Sequence, residues 1–139
     1  MPPKMKSDTI MLDASVLIDH FRRKNRKDTF YTKIVRQYGF RLISTVAKFE
    51  VLYGARVETV EYWNSVFATM TVVPFTDDIV TKSHEIVLDL KRKSLLLDME
   101  DIMIAATAIV HNVPLATLNQ KHFGRINGLK LIGNAEPAG

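Results

Sequence analysis

Residues 99–110 narrow the choice of folds more than any other stretch. In the helix they predict, Met99, Ile102, Met103, Ile104, Ala105, Ala106, Ala108, Ile109 and Val110 place apolar atoms around nearly the whole circumference. Such a helix lies in the middle of a domain, with protein on every side. It does not cross a membrane, because that takes about 20 apolar residues and no stretch of the 139 approaches this.

Around that segment, short β-rich runs alternate with longer helical patterns. Thr9 to Leu12 is a compact apolar strand, and Asp13 to Ile18 turns from it into a helix. Phe30, Tyr31, Ile34, Val35 and Tyr38 recur at helical spacing until Gly39 supplies a stop. Arg41 to Ile43 is the next strand, and Ser44-Thr45 caps a helix carrying Phe49, Val51 and Leu52. Val60, Trp63, Val66, Phe67 and Met70 mark a further amphipathic helix, followed by strand Thr71 to Val73. Thr76 or Asp77 caps a helix whose apolar face is expected through Val80, Ser83, Ile86, Val87 and Leu90. Leu115 to Thr117 and Leu129 to Ile132 are the last strands. Strands separated by helices favour right-handed crossovers and a parallel sheet covered on both faces, an α/β fold. With no repeat, low-complexity tract or long linker, one domain is expected over residues 9–132, with a flexible start at 1–8 and a tail at 133–139.

Composition removes several chemistries. The absence of cysteine excludes a disulfide framework, a thiolate zinc site and a cysteine nucleophile. The polar opening leads into an apolar run that Asp13 cuts short, which is not a secretory signal, so a soluble intracellular chain is expected. A net charge of +4, from 19 basic and 15 acidic residues, is compatible with a nucleic-acid partner but is weak support alone.

Four polar residues stand where a purely structural sequence has little need of them. Asp13 and Asn119 follow strands at their carboxyl ends, where ligands bind in open parallel sheets. Glu50 sits among Phe49, Val51 and Leu52, and Asp101 begins the apolar helix. Each has an ordinary explanation: Asp13 as a helix cap, Glu50 as a surface residue, and Asp101 as the dipole or capping-box partner of an N-cap Asp98. Converging on one crevice, three carboxylates would instead repel one another unless a cation intervened. With only hard oxygen donors on offer, magnesium or manganese suits such a site better than zinc, and metal-assisted phosphodiester hydrolysis is the matching chemistry.

The residues resemble the PIN-domain ribonucleases, and specifically the VapC toxins of type II toxin–antitoxin systems. Four segments carry the resemblance: Asp13-Ala14-Ser15 after the first strand; Glu50 with Tyr53-Gly54-Ala55; Asp101 with Ile104-Ala105-Ala106 and Ala108; and Thr117-Leu118-Asn119 running to Phe123. The resemblance implies a three-layer PIN-like α/β domain with a central parallel sheet. It implies an endoribonuclease in which Asp13 and Asp101 contact Mg²⁺ or Mn²⁺ directly and Glu50 does so directly or through water. Ser15 and Thr117 would support the carboxylates, and Asn119 takes the fourth catalytic position. His122 departs from the pattern, standing where the family usually has an acid. The register of Ile104-Ala105-Ala106 selects Asp101 rather than Asp98 as the third acid. The resemblance also implies a cytoplasmic toxin acting on a structured RNA such as tRNA, silenced by a VapB-type antitoxin and forming homodimers.

Arg22, Arg23, Lys24, Arg26 and Lys27 form a basic run after the first helix. It is an exposed loop in the ordinary reading and a phosphate-binding surface if RNA is the substrate. Lys91-Arg92-Lys93 stands at a helix carboxyl end, where cations complement the dipole. Tyr53 and Phe123 could stack on bases, with core packing as the default. Two other functions remain open: a PIN-like RNA- or protein-binding module without catalysis, and an aspartyl-phosphate enzyme using Asp13. The second would ordinarily have an acid at position 15, where this chain has Ser15.

Overall fold

The computed structural model describes residues 8–134. The flexible start and tail expected from the sequence fall for the most part at 1–7 and 135–139, outside those residues. The described chain forms five strands, β1 (Thr9–Leu12), β2 (Phe40–Ser44), β3 (Thr71–Val73), β4 (Leu115–Ala116) and β5 (Leu131–Ile132). Between them run α1 (Ala14–Arg22), α2 (Phe30–Gln37), α3 (Thr45–Tyr53), α4 (Val60–Phe67), α5 (Asp77–Arg92), α6 (Met99–Val110) and α7 (Gln120–Phe123), with a 3-10 turn at Val57–Thr59 before α4.

All strand pairs are parallel and the order is β3-β2-β1-β4-β5. β1 is central, so both its faces are covered, and Ile10, Met11 and Leu12 are fully buried. Successive connections move outward from β1 through β2 to β3, and the chain then crosses back to β4 on the other side. With right-handed crossovers, this reversal sends α1 to α4 to one face of the sheet and α5 to α7 to the other. It also makes the gap between the carboxyl ends of β1 and β4 the topological switch point, where the loops diverge and leave a crevice.

The apolar helix is α6, with the expected bounds. Ile104, Ala105, Ala106 and Ala108 are fully buried; the small alanines let α6 lie close to its neighbours. On α5 the buried stripe is Ile79, Ile86 and Leu90, with Val80 47% exposed. The expected face was thus displaced by one residue at its start, because Ile79, Ser83, Ile86 and Leu90 keep the three-to-four spacing of one helix side. The last strand is shorter than expected, since β4 offers only Leu115 and Ala116 to pair with Leu131 and Ile132. Ser44 caps α3 as expected, its side chain accepting from the Ala47 N–H at 3.0 Å.

Candidate active site

Asp13 is the first residue after β1 and its backbone N–H donates to the Ala116 carbonyl at 2.9 Å, tying it to β4. It holds the N-cap position of α1, yet its side chain makes no capping bond. The carboxylate, 3% exposed, accepts instead from Ser15 Oγ at 2.7 Å and Thr117 Oγ1 at 2.8 Å, both at Oδ2. Each hydroxyl is oriented in turn by a backbone donor: Leu118 N–H reaches Ser15 Oγ at 3.1 Å, and Asn119 N–H reaches Thr117 Oγ1 at 2.9 Å. The strand–helix junction therefore serves the carboxylate rather than the helix end.

Glu50 reaches this crevice from α3 and Asp101 from the first turn of α6. Glu50 Oε1 is buried and has no hydrogen-bond partner among the described residues. Burial raises the Glu50 carboxyl to about 7, and the negative charges of Asp13, Asp101, Glu100 and Asp98 add to the effect. Asp101 is raised to about 6, again by burial first and then by Asp13 and Asp98; His122 opposes the shift and Glu100 adds to it. These mutual influences gather the three expected acids into one electrostatic cluster. Asp98 occupies the N-cap position of α6 but makes no side-chain capping bond, so the expected capping box is not formed. Asp98, Glu100 and His122 are exposed around the cluster.

A buried carboxylate oxygen without a partner costs about 1–3 kcal/mol or more, and the four neighbouring acids raise the cost. Among the described residues, no three His, Asp or Glu side chains form a ready-made metal cage. What is present is an all-oxygen donor set with an orphaned oxygen and excess negative charge. That chemistry fits a hard divalent cation and offers nothing to a soft one.

Asn119 is exposed at the start of α7 and lines a hollow with Ser15, Arg22 and Arg23. The basic run divides. Arg26 Nη2 donates to the Phe21 carbonyl at 2.7 Å, and its guanidinium lies over the Phe21 and Tyr62 rings. Arg23 pairs with Asp19 at 3.1 Å. Arg22, Lys24 and Lys27 are exposed and form no ion pair among the described residues. The second cluster is anchored on its own helix, with Arg92 and Lys93 both on Asp89. Phe123 is core, whereas Tyr53 is 82% exposed, its ring 5.9 Å from that of Phe49. His20 is structural, its Nδ1 lying 2.6 Å from Thr29 Oγ1. Sequence reasoning did not single out Glu100 or the place of Arg22 beside Ser15 and Asn119. The only early signal for Glu100 was its adjacency to Asp101.

With this geometry in view, residues 10–129 match the PIN domain family. The chain is 32% identical over 125 residues to "Ribonuclease VapC1" of Methanocaldococcus jannaschii, covering 88% of this chain and 85% of that protein. It is 33% identical over 122 residues to "Ribonuclease VapC10" of Mycobacterium tuberculosis, covering 87% and 90%. Its fold is similar to that of a chain in the DNA-bound VapBC structure from Salmonella typhimurium, with a TM-score of 0.81 at 20% identity over 90% of this chain and 97% of that one.

Proposed function

The chain belongs to the PIN domain family, among the VapC ribonucleases, and from that membership we propose that it is a divalent-cation-dependent endoribonuclease, the toxin of a type II toxin–antitoxin pair. One observation supports this most: Glu50 Oε1 is buried without a partner, and four further acids add to the rise of its pKa. Such an arrangement is costly as a purely structural feature and useful as a cation site.

Asp13, Asp101 and Glu50 would hold Mg²⁺ or Mn²⁺. When bound, the cation supplies charge neutralisation at a phosphate and a more acidic water. Ser15 and Thr117 keep Asp13 Oδ2 in one position, which limits the freedom of the whole carboxylate. Glu50, holding the cation directly or through water, would also help orient the attacking water. In hydrolysis a P–O bond forms to the water oxygen and a P–O bond of the RNA backbone breaks, the leaving oxygen ending protonated. Asn119, exposed at the mouth, can donate to a phosphate oxygen without adding negative charge there. Lys24, Lys27 and Arg22 remain available to attract the backbone.

We extend the reading to the partners: a VapB-type antitoxin, a homodimer, a cytoplasmic setting and a tRNA substrate. No helix among the described residues is long and apolar enough to cross a membrane. Chains of similar fold occur in VapBC structures, which supports the antitoxin.

The test mixes antitoxin-free protein with total RNA and purified tRNA, with Mg²⁺ or Mn²⁺ and with chelator, beside Asp13→Asn and Asp101→Asn. Cleavage only by the metal-supplied wild type is expected. Cleavage that survives chelation or both substitutions overturns the proposal, and RNA binding without cleavage supports the non-catalytic binding module.

A further inference from the structure

Two hollows lie side by side along α1 and share Ile18 and Arg22. The first, of about 550 Å³, runs over Ser15 and Asn119. The second, of about 270 Å³, sits between α1, α3 and α4. Its walls include Phe21, Val51 and Trp63, and Arg22 and Arg56 stand among its lining. Trp63 is almost fully buried, held by Phe21 and Tyr62 with ring centroids at 5.1 Å in each case, so this apolar wall is rigid.

Neither guanidinium is strongly engaged. Arg22 forms no ion pair among the described residues, and Arg56 meets Glu58 at 3.6 Å with both side chains largely in water. An exposed pair of that kind competes weakly with a better anion. A shallow apolar pocket with two weakly engaged guanidinium groups is complementary to a flat apolar group that carries a phosphate. It is a poorer match to a bare anion or a hydrocarbon. Arg22 lies nine residues along the helix from Asp13, roughly 13 Å. Arg22 also borders the first hollow beside Ser15 and Asn119, so a strand seated there can place a neighbouring nucleotide in the second.

We propose that the second hollow is a base subsite for single-stranded RNA, taking the base of a nucleotide flanking the scissile bond while Arg22 and Arg56 hold its phosphate. This rests on the ribonuclease reading above, and it adds a place where that enzyme discriminates among RNA strands. Apolar contact along Ile18, Phe21 and Ala55 holds the base, and the guanidinium donors hold the anion.

Trp63 is the only tryptophan of the chain, so its fluorescence reports on the hollow directly. The full-length protein is titrated, in chelator so that the RNA stays intact, with a 5′-phosphorylated single-stranded RNA tetramer. The same tetramer made abasic at each position in turn, and inorganic phosphate alone, serve as controls. The intact tetramer is expected to change Trp63 emission saturably, and one abasic position to weaken binding about tenfold, the scale of one apolar group buried. Phosphate alone should leave the emission unchanged. Arg22→Gln and Arg56→Gln, both at exposed positions, should each weaken the tetramer about tenfold. Gly54→Leu should remove the penalty of the abasic position, since Gly54 lines the hollow and a Cβ added there meets nothing within 4 Å.

Equal affinity of all tetramers for the wild type, or an unchanged abasic penalty in Gly54→Leu, overturns the subsite. An emission change with a peptide of the antitoxin but none with RNA overturns it too, in favour of a protein partner. Asp13→Asn separates the two readings, because it should abolish cleavage yet leave the titration intact. A saturable, base-dependent titration by a wild type that cleaves nothing keeps the subsite and removes the nuclease. Cleavage without base dependence does the reverse.

Discussion

Thr117 Oγ1 donates to Asp13 Oδ2 at 2.8 Å, joining the carboxyl ends of two neighbouring parallel strands across 104 residues of sequence. The bond straddles the topological switch point of the sheet. Both residues are buried, and the same hydroxyl accepts from the Asn119 N–H. Thr117 thus fixes one acid of the site and the entry to α7 together, so position and charge at the crevice are set by one side chain.

Thr117→Val keeps the shape of the side chain and removes the hydroxyl. It leaves a buried carboxylate short of one donor and the Asn119 N–H short of its acceptor. A loss of about 1.5–3 kcal/mol in urea unfolding is expected, together with a 10- to 100-fold fall in affinity for Mn²⁺ measured by calorimetry. Thr117→Ser should recover most of both. A variant as stable and as metal-avid as wild type would show that the hydroxyl is incidental.

The raised acids set a pH dependence. Glu50 moves from 4.5 to about 7 and Asp101 from 3.8 to about 6, so between these limits the folded chain binds more protons than the unfolded one. Stability from these two groups is therefore full below about pH 4 and falls as pH rises through 6 and 7. Without metal, the melting temperature should decline from pH 5 to pH 8, and Glu50→Gln should flatten the decline. If the cluster is the proposed cation site, added Mn²⁺ should restore stability at pH 8 by binding the folded chain and not the unfolded one. A metal-free protein equally stable at both values, after allowance for the other titrating groups, contradicts the proposed cluster.

Arg26 and Lys24 are expected to part company despite their shared cluster. Arg26 lies over two rings and donates to a carbonyl, so Arg26→Ala should cost about 1–2 kcal/mol of stability. Lys24→Ala should leave stability unchanged and reduce the slope of log affinity for RNA against log salt by close to one. Chemical unfolding and a salt titration of RNA binding measure the two effects. The opposite assignment would return the RNA contact to Arg26.

Ile104 is fully buried in α6. Ile104→Ala should destabilise by about 2–5 kcal/mol, from lost transfer energy and the cavity left behind. Met99→Ala, at the exposed start of the same helix, should change unfolding by less than about 1 kcal/mol. Similar costs at the two positions would deny that this helix is held on its interior side.

The helix bounds at 99–110 and the strand at Thr71–Val73 could be read directly from the residues, because apolar periodicity and turn chemistry act over a few neighbours. The identity of the three acids was legible for a different reason: each stands in a short motif resembling a known family. The face of α5 was harder to read. Ile79 and Val80 are equally apolar, and only packing against the sheet decides that Ile79 is buried while Val80 faces water. The shortened β5 likewise follows from how little of β4 is available for pairing.

What Asp13 does could not be settled locally. As a residue between strand and helix it is an ordinary cap, and it does hold the cap position. Its carboxylate turns away from that task because Ser15 and Thr117 supply stronger partners, one of them from the far end of the chain. The order of residues alone therefore settled an α/β chain, its elements, and a short roster of acids free of thiol chemistry. Tertiary structure alone decided that those acids share one crevice, that Arg26 serves the fold, and that Arg22 borders two adjoining hollows. The physical division is one of range: secondary structure answers to neighbours within a turn or two, whereas desolvation, charge coupling and donor supply depend on whatever the fold brings alongside.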